Sequence, residues 1–149
     1  MNVNRLRMLR MGGAVTCALV VSAAVRADAP AGRYQIDVDT VYDIKTKLAW
    51  QRVEALGSMT QANAIAYCQG LSLRGSGWRL PTVKELSSLV DVTLKSPAID
   101  PAFTGTTSNY FWSASPLAGP PNDGWNVEFN GGFTGTSVAT TMYRVRCVR

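Results

Sequence analysis

Two stretches of this chain carry side chains whose types and spacing could do chemistry. Asn122, Asp123, Trp125, Asn126 and Glu128 interleave a flat indole with amide and carboxylate oxygens, and Asn109 and Asn130 add further amides. Such a mixture is how sugar faces and hydroxyls are commonly held. Near the C-terminus Arg144 and Arg146 stand two apart in a strand-like pattern, so both guanidinium groups share one face, with Arg149, Arg74 and Arg79 as candidate neighbours. Paired guanidinium groups suit bidentate contacts to sulfated or acidic glycans. Against this, internal pairing of these arginines with Asp39, Asp43 or Asp91 is the commoner arrangement, and a tryptophan alternating with Val127 and Phe129 is more often buried than stacked on a ligand.

The chemistry that is missing narrows the field. The chain contains no histidine, which removes Ser-His-Asp and Cys-His nucleophiles, histidine-based zinc sites and the usual proton shuttle near neutral pH. Acid–base work would fall to carboxylates. Glu85 is placed to cap a helix, Glu54 lies in a polar loop, and Asp91, Asp100, Asp123 and Glu128 are read as solvated charges and turn caps. Gly131-Gly132-Phe133-Thr134-Gly135 lacks the Gly-Lys-Ser/Thr ending of a phosphate loop and reads as hairpin glycines. No catalytic residue, cofactor or metal site is expected.

The elements that must position these residues follow from periodicity. Tyr34 to Asp37, Thr40 to Asp43 and Leu48 to Arg52 are rich in β-branched and aromatic residues and predict strands. A helix capped by Ser58 or Thr60 would bring Ala64, Ile65, Cys68 and Leu71 to one face. Ile99 and Phe103 are expected to pin the proline-bearing loop from Ser96 to Pro101 to the core. Tyr110 to Ser115 predicts a strand, Pro116 to Asp123 an irregular loop, and the alternation of Trp125, Val127 and Phe129 a half-buried strand. Asn130-Gly131-Gly132 is a turn, after which Tyr143, Val145 and Cys147 alternate again. Trp50, Trp78 and Trp112 are assigned to the core. Antiparallel strands with two short helices make an α+β domain.

The block Gly77-Trp78-Arg79-Leu80-Pro81-Thr82-Val83-Lys84-Glu85-Leu86 organises the rest. Thr82 and Glu85 stand three apart, the spacing of a capping box, and Pro81 keeps the chain out of the helix until Thr82. Val83, Leu86, Leu89 and Val90 then recur at helical spacing, while Trp78 and Leu80 flank the entry.

Together with Asp43-x-x-Thr46-x-Leu48-x-Trp50, Phe111-Trp112-Ser113-Ala114-Ser115 and Val145-Arg146-Cys147-Val148-Arg149, this block resembles the Lcl C-terminal domain family. The resemblance implies a C-type-lectin-like fold, two short helices packed on a mixed, mainly antiparallel sheet with a long loop region, distantly akin to formylglycine-generating enzymes. Members usually carry glycine where Lys47 stands. Sugar-binding C-type lectins hold calcium with oxygens flanking a loop proline. Pro121-Asn122-Asp123 and Trp125-Asn126 echo that pattern weakly, with Val127 in place of the second carboxylate, so no calcium dependence is expected. The enzymes of that kinship need reactive cysteines, whereas the two here suit a structural bridge.

Residues 1–29 have the three parts of a secretory leader: Arg5, Arg7 and Arg10, an apolar run from Met11 to Val25, and small residues around Ala27-Asp28-Ala29. The apolar run falls short of the about 20 residues a membrane span needs. Residues 30–149 then form one domain. Arg5, Arg7, Arg10 and Arg26 leave with the leader, so most of the formal charge of +5 leaves too, and a nucleic-acid partner loses its basis. Without Cys17 two cysteines remain, Cys68 and Cys147, and an even pair in an oxidising compartment reads as a disulfide. The expected protein is an exported, non-catalytic recognition module of the periplasm or cell surface, taking a glycan or an envelope or surface protein. The alternatives are an envelope structural or assembly subunit and an oxidase-like enzyme.

Overall fold

The computed structural model describes residues 32–118 and 123–149. The expected leader, with Cys17, and the candidate ligand residue Asn122 lie outside the described residues. The first sheet is a meander of β1 (Tyr34–Ile36), β2 (Thr40–Asp43) and β3 (Leu48–Gln51). Two helices follow, α1 (Gln61–Gly70) and α2 (Val83–Ser87). The second sheet is a meander of β4 (Tyr110–Pro116), β5 (Asp123–Glu128) and β6 (Phe133–Val138). All pairings within the sheets are antiparallel, and the domain is α+β. Among the described residues no helix is long and apolar enough to cross a membrane.

The expectation of one mixed sheet is corrected: there are two three-stranded sheets, β1-β2-β3 and β4-β5-β6. What joins them is the C-terminal segment. Gln51 N–H donates to the Cys147 carbonyl (2.9 Å) on the first sheet, while Trp112 N–H donates to the Arg144 carbonyl (3.0 Å) on the second. Arg79 and Val148 exchange N–H···O bonds of 2.8 and 2.9 Å, which ties in the turn before α2. The segment forms isolated bridges instead of a strand, one of them parallel, between Phe111 and Arg144. β6 is a second correction. Its sequence, Phe-Thr-Gly-Thr-Ser-Val, lacks the apolar alternation of a buried strand.

Local chemistry fixes both helices. The Thr60 hydroxyl caps α1 by accepting from Asn63 N–H, and Ala64 and Cys68, one turn apart, are buried beneath it. In α2 the capping box closes as expected, with Glu85 N–H donating to Thr82 Oγ1 at 3.2 Å and Thr82 N–H to Glu85 Oε2 at 2.8 Å. Leu86 and Leu89 enter one apolar cluster with Trp50, Phe111, Val127 and Phe129; Trp78, Leu80 and Trp112 enter a second with Ala64 and Cys68. Cys68 is bonded to Cys147, so α1 is stapled to the segment that joins the sheets. Ile99 and Phe103 are buried as expected and hold the loop after α2 against the first cluster.

Candidate functional site

The pleat of β5 divides the candidate ligand residues between two faces. Asp123, Trp125 and Val127 point one way, Gly124, Asn126 and Glu128 the other. On the first face Val127 is buried, but Trp125 is only half-buried. Across the strand Trp125 stands opposite Thr136, Asp123 opposite Val138 and Val127 opposite Thr134. Thr134, Thr136 and Val138 are all exposed, so a half-open indole lies beside a row of β-branched side chains. At the end of the row, the Asp123 carboxylate makes no hydrogen bond or ion pair with another described residue.

The backbone under Trp125 is held firmly. Its carbonyl accepts from the buried Ser113 hydroxyl at 2.7 Å, and the Ser113 carbonyl accepts from Gln61 Nε2 at 2.8 Å. Gln61 crosses β5 where a side chain on Gly124 would stand, so glycine is needed there for the start of α1 to approach.

On the opposite face two sequence expectations fail. Asn126 is 1% exposed. Its Nδ2 donates to Ser137 Oγ at 3.2 Å, and Ser137 Oγ is 2.8 Å from the Tyr143 hydroxyl, so the amide braces the second sheet. Glu128 turns back on its own chain, accepting from Asn130 N–H at 2.9 Å and Gly131 N–H at 3.0 Å, and fastens the β5–β6 turn. Asn126 is thus shut away from solvent and Glu128 is engaged by its own turn.

The arginine face is corrected as well. Arg146 is completely buried. Its guanidinium donates to the carbonyls of Gln51 (2.7 Å) and Arg52 (2.6 Å) and to Thr106 Oγ1 (2.6 Å), and lies 5.0 Å from the centre of the Phe103 ring. Burial pulls its pKa down, to about 10. Arg144 is about a quarter exposed and pairs at 3.5 Å with Glu54, whose carboxylate also accepts from Thr107 N–H at 2.9 Å. The C-terminal segment runs between the two sheets, which buries Arg146 and leaves Arg144 mostly covered, so among the described residues the two form no open basic strand face. Elsewhere arginines do pair with carboxylates, but among the described residues none of the expected pairs with Asp39, Asp43 or Asp91 forms: Arg74 pairs with Asp37 and Arg79 with Glu85, while Asp43 is taken by Arg33. Two Arg79 bonds of 2.8 and 2.7 Å, aided by Thr82, hold the Glu85 carboxyl down to a pKa of about 2.

Asp91 and Asp100 cap local turns, accepting from Thr93 N–H and Ala102 N–H. Among the described residues no three cysteine, aspartate or glutamate side chains are gathered as a metal site would need. Sequence reasoning missed a cleft of about 250 Å³ beside the first sheet. Val53, Leu56 and Leu73 form its apolar walls, and Gln51 Nε2 donates to the Tyr67 hydroxyl at 3.1 Å in its lining. Leu56 in its wall is 95% exposed, and nothing in the local sequence pattern signals the cleft.

These features define a small disulfide-stapled α+β domain built from two antiparallel meanders. The chain matches the model of the Lcl C-terminal domain over residues 39–149 and belongs to that family. No curated protein matches it.

Proposed function

We propose that the chain is an exported, non-catalytic recognition module of the cell envelope or surface, with a C-type-lectin-like fold, and that it binds through the face carrying Asp123, Trp125, Thr134 and Thr136. One observation carries the reading: Trp125 is the only one of the four tryptophans left half-open, the other three being at most 3% exposed. A half-open indole on a rigid strand offers apolar area at little entropic cost. Beside it, the threonine hydroxyls can donate and accept, and the unbonded Asp123 carboxylate can accept from a ligand hydroxyl. Neutral or amine-bearing sugars fit this set better than sulfated ones, because the nearest free charge is negative. The lectin-like assignment is supported by the bridge from the first helix to the C-terminal segment and by the loop-flanked second sheet.

The test is a panel of immobilised oligosaccharides, neutral, amine-bearing and sulfated, probed with the wild-type chain and with Trp125→Ala. Retention of a neutral or amine-bearing sugar, reduced at least about tenfold by Trp125→Ala, is the expected result. Binding that survives the substitution, or that is confined to sulfated sugars, overturns the reading of this face.

A further inference from the structure

The two sheets have four outer edges, and three are closed or guarded. Along β3, Ala49 and Gln51 N–H donate to the carbonyls of Arg149 (2.8 Å) and Cys147 (2.9 Å). Along β4, Trp112 N–H donates to Arg144 (3.0 Å) and Ala114 N–H to Pro81 (2.7 Å). The edge formed by β1 is three residues long and flanked by Arg33 and Asp37, a short charged edge of the kind that discourages further pairing.

Among the described residues β6 has none of these protections before its last residue, where the Val138 carbonyl accepts from Thr141 N–H at 2.8 Å. It is six residues long, carries no charge and no proline, and pairs with β5 in unbroken register from Asp123–Val138 to Glu128–Phe133. Among the described residues no backbone hydrogen bond reaches Phe133 to Ser137 from outside the sheet. Two large apolar side chains mark its ends, Phe133 at 72% and Val138 at 52% exposed. Natural edges of this length are normally charged, kinked or covered, so an open one calls for a partner.

We infer that this partner is a second copy of the chain, joined through antiparallel pairing of β6 with β6 about a twofold axis at Thr136. An axis normal to the sheet keeps each face continuous, so paired residues have the same parity. With Thr136 opposite Thr136, Thr134 faces Val138 of the second copy, and Phe133 faces its Ala139. Each Val138 then covers a threonine methyl, and threonine pairs meet at the centre, a favourable cross-strand combination. No like charges come together, because the strand has none. The pairing is isologous and consumes the β6 edge of both copies, and the other edges are closed or guarded, so assembly stops at two chains. The result is a six-stranded sheet with both copies of Trp125 on one face. Thr134 and Thr136 also belong to the proposed sugar-binding face, but the contact does not involve Trp125 and the mass is read without sugar, so its failure is separable from that of the sugar-binding reading.

Light scattering on the purified chain across the micromolar range tests this. The expected mass is twice that of one chain. Thr136→Lys sets two ammonium groups against each other at the axis and should give the mass of one chain with an unchanged cooperative melt; Thr136→Glu should do the same. Mixing the two variants in equal amounts should restore the doubled mass, which a merely misfolded variant could not do. If Thr136→Lys does not melt cooperatively, Thr134→Lys, which opposes Val138, replaces it in the same comparison. A wild-type chain that stays single, a doubled mass unaffected by the lysine, or masses that keep growing beyond two chains would each overturn the inference.

Discussion

The guanidinium of Arg146 lies 5.0 Å from the ring of Phe103, wholly out of water, and spans to the carbonyls of Gln51 and Arg52. Removing it strands these acceptors and Thr106 Oγ1 and takes a positive charge from near Glu54, which keeps Arg144 and Thr107 as partners. Arg146→Ala should therefore cost about 3 to 5 kcal/mol of folding free energy. Arg146→Lys should recover only part, since an ammonium cannot present a planar fork to three acceptors. Urea unfolding of the three proteins measures both; a loss under about 1 kcal/mol for alanine would contradict this role.

Glu85 makes stability depend on acid. Its folded pKa of about 2 lies below its ordinary 4.5, so in that window the unfolded chain takes up the proton first and stability falls as pH falls. Because Arg79 is nearly half exposed, the loss should be only roughly 1 to 2 kcal/mol. Glu85→Gln can keep the bond from Thr82 N–H while abolishing the titration. Comparing unfolding midpoints at neutral and strongly acid pH, the variant should lose less than the wild type. Parallel curves would show that the pair is not the titrating element.

Lys47 closes the turn between β2 and β3 in the left-handed region, at φ 62°. A side chain there costs on the order of 1 kcal/mol, which glycine avoids. Lys47→Gly should raise stability by up to about 1 kcal/mol, and a lower melting temperature for it would mean that the lysine makes a compensating contact.

The bridge between Cys68 and Cys147 closes 79 residues. In the chain-entropy account such a closure is worth about 4 to 5 kcal/mol, so reductant should shift the unfolding midpoint strongly while leaving a Cys68→Ala/Cys147→Ala chain unaffected. Equal midpoints with and without reductant would show that the two cysteines are not bridged in the folded protein.

Legibility in the sequence tracks the distance over which each feature is determined. The capping box needs only Thr82 and Glu85, three positions apart, and stands as anticipated. The core tryptophans Trp50, Trp78 and Trp112 were legible from their strand and turn surroundings. Arg146 and Asn126 were not, because alternation assigns faces only when one face is wet. At Arg146 the far side is closed by Phe103 and the loop at Thr106, and at Asn126 by Tyr143 and Ser137, all contributed by other parts of the chain. β6 escaped notice for the complementary reason: polar, glycine-bearing and exposed, it owes its extended form to pairing with β5 and not to its own residues. Of the candidate ligand residues within the described chain, Asp123 and Trp125 remain.

The C-terminal segment also sets a schedule. Residues 144 to 149 fill the gap between β3, β4 and the turn before α2, with Arg149 and Ala49 exchanging bonds of 2.8 and 2.9 Å. A chain delivered from its N-terminus, whether from a ribosome or through a narrow pore, has made every strand of both sheets before this filler arrives. Until then β3 and β4 lack their outer partners and neither apolar cluster is complete, because Val148 belongs to the first and Val145 and Cys147 to the second. Completion falls with residues 144 to 149, and the Cys68 thiol must wait for a partner made 79 positions later.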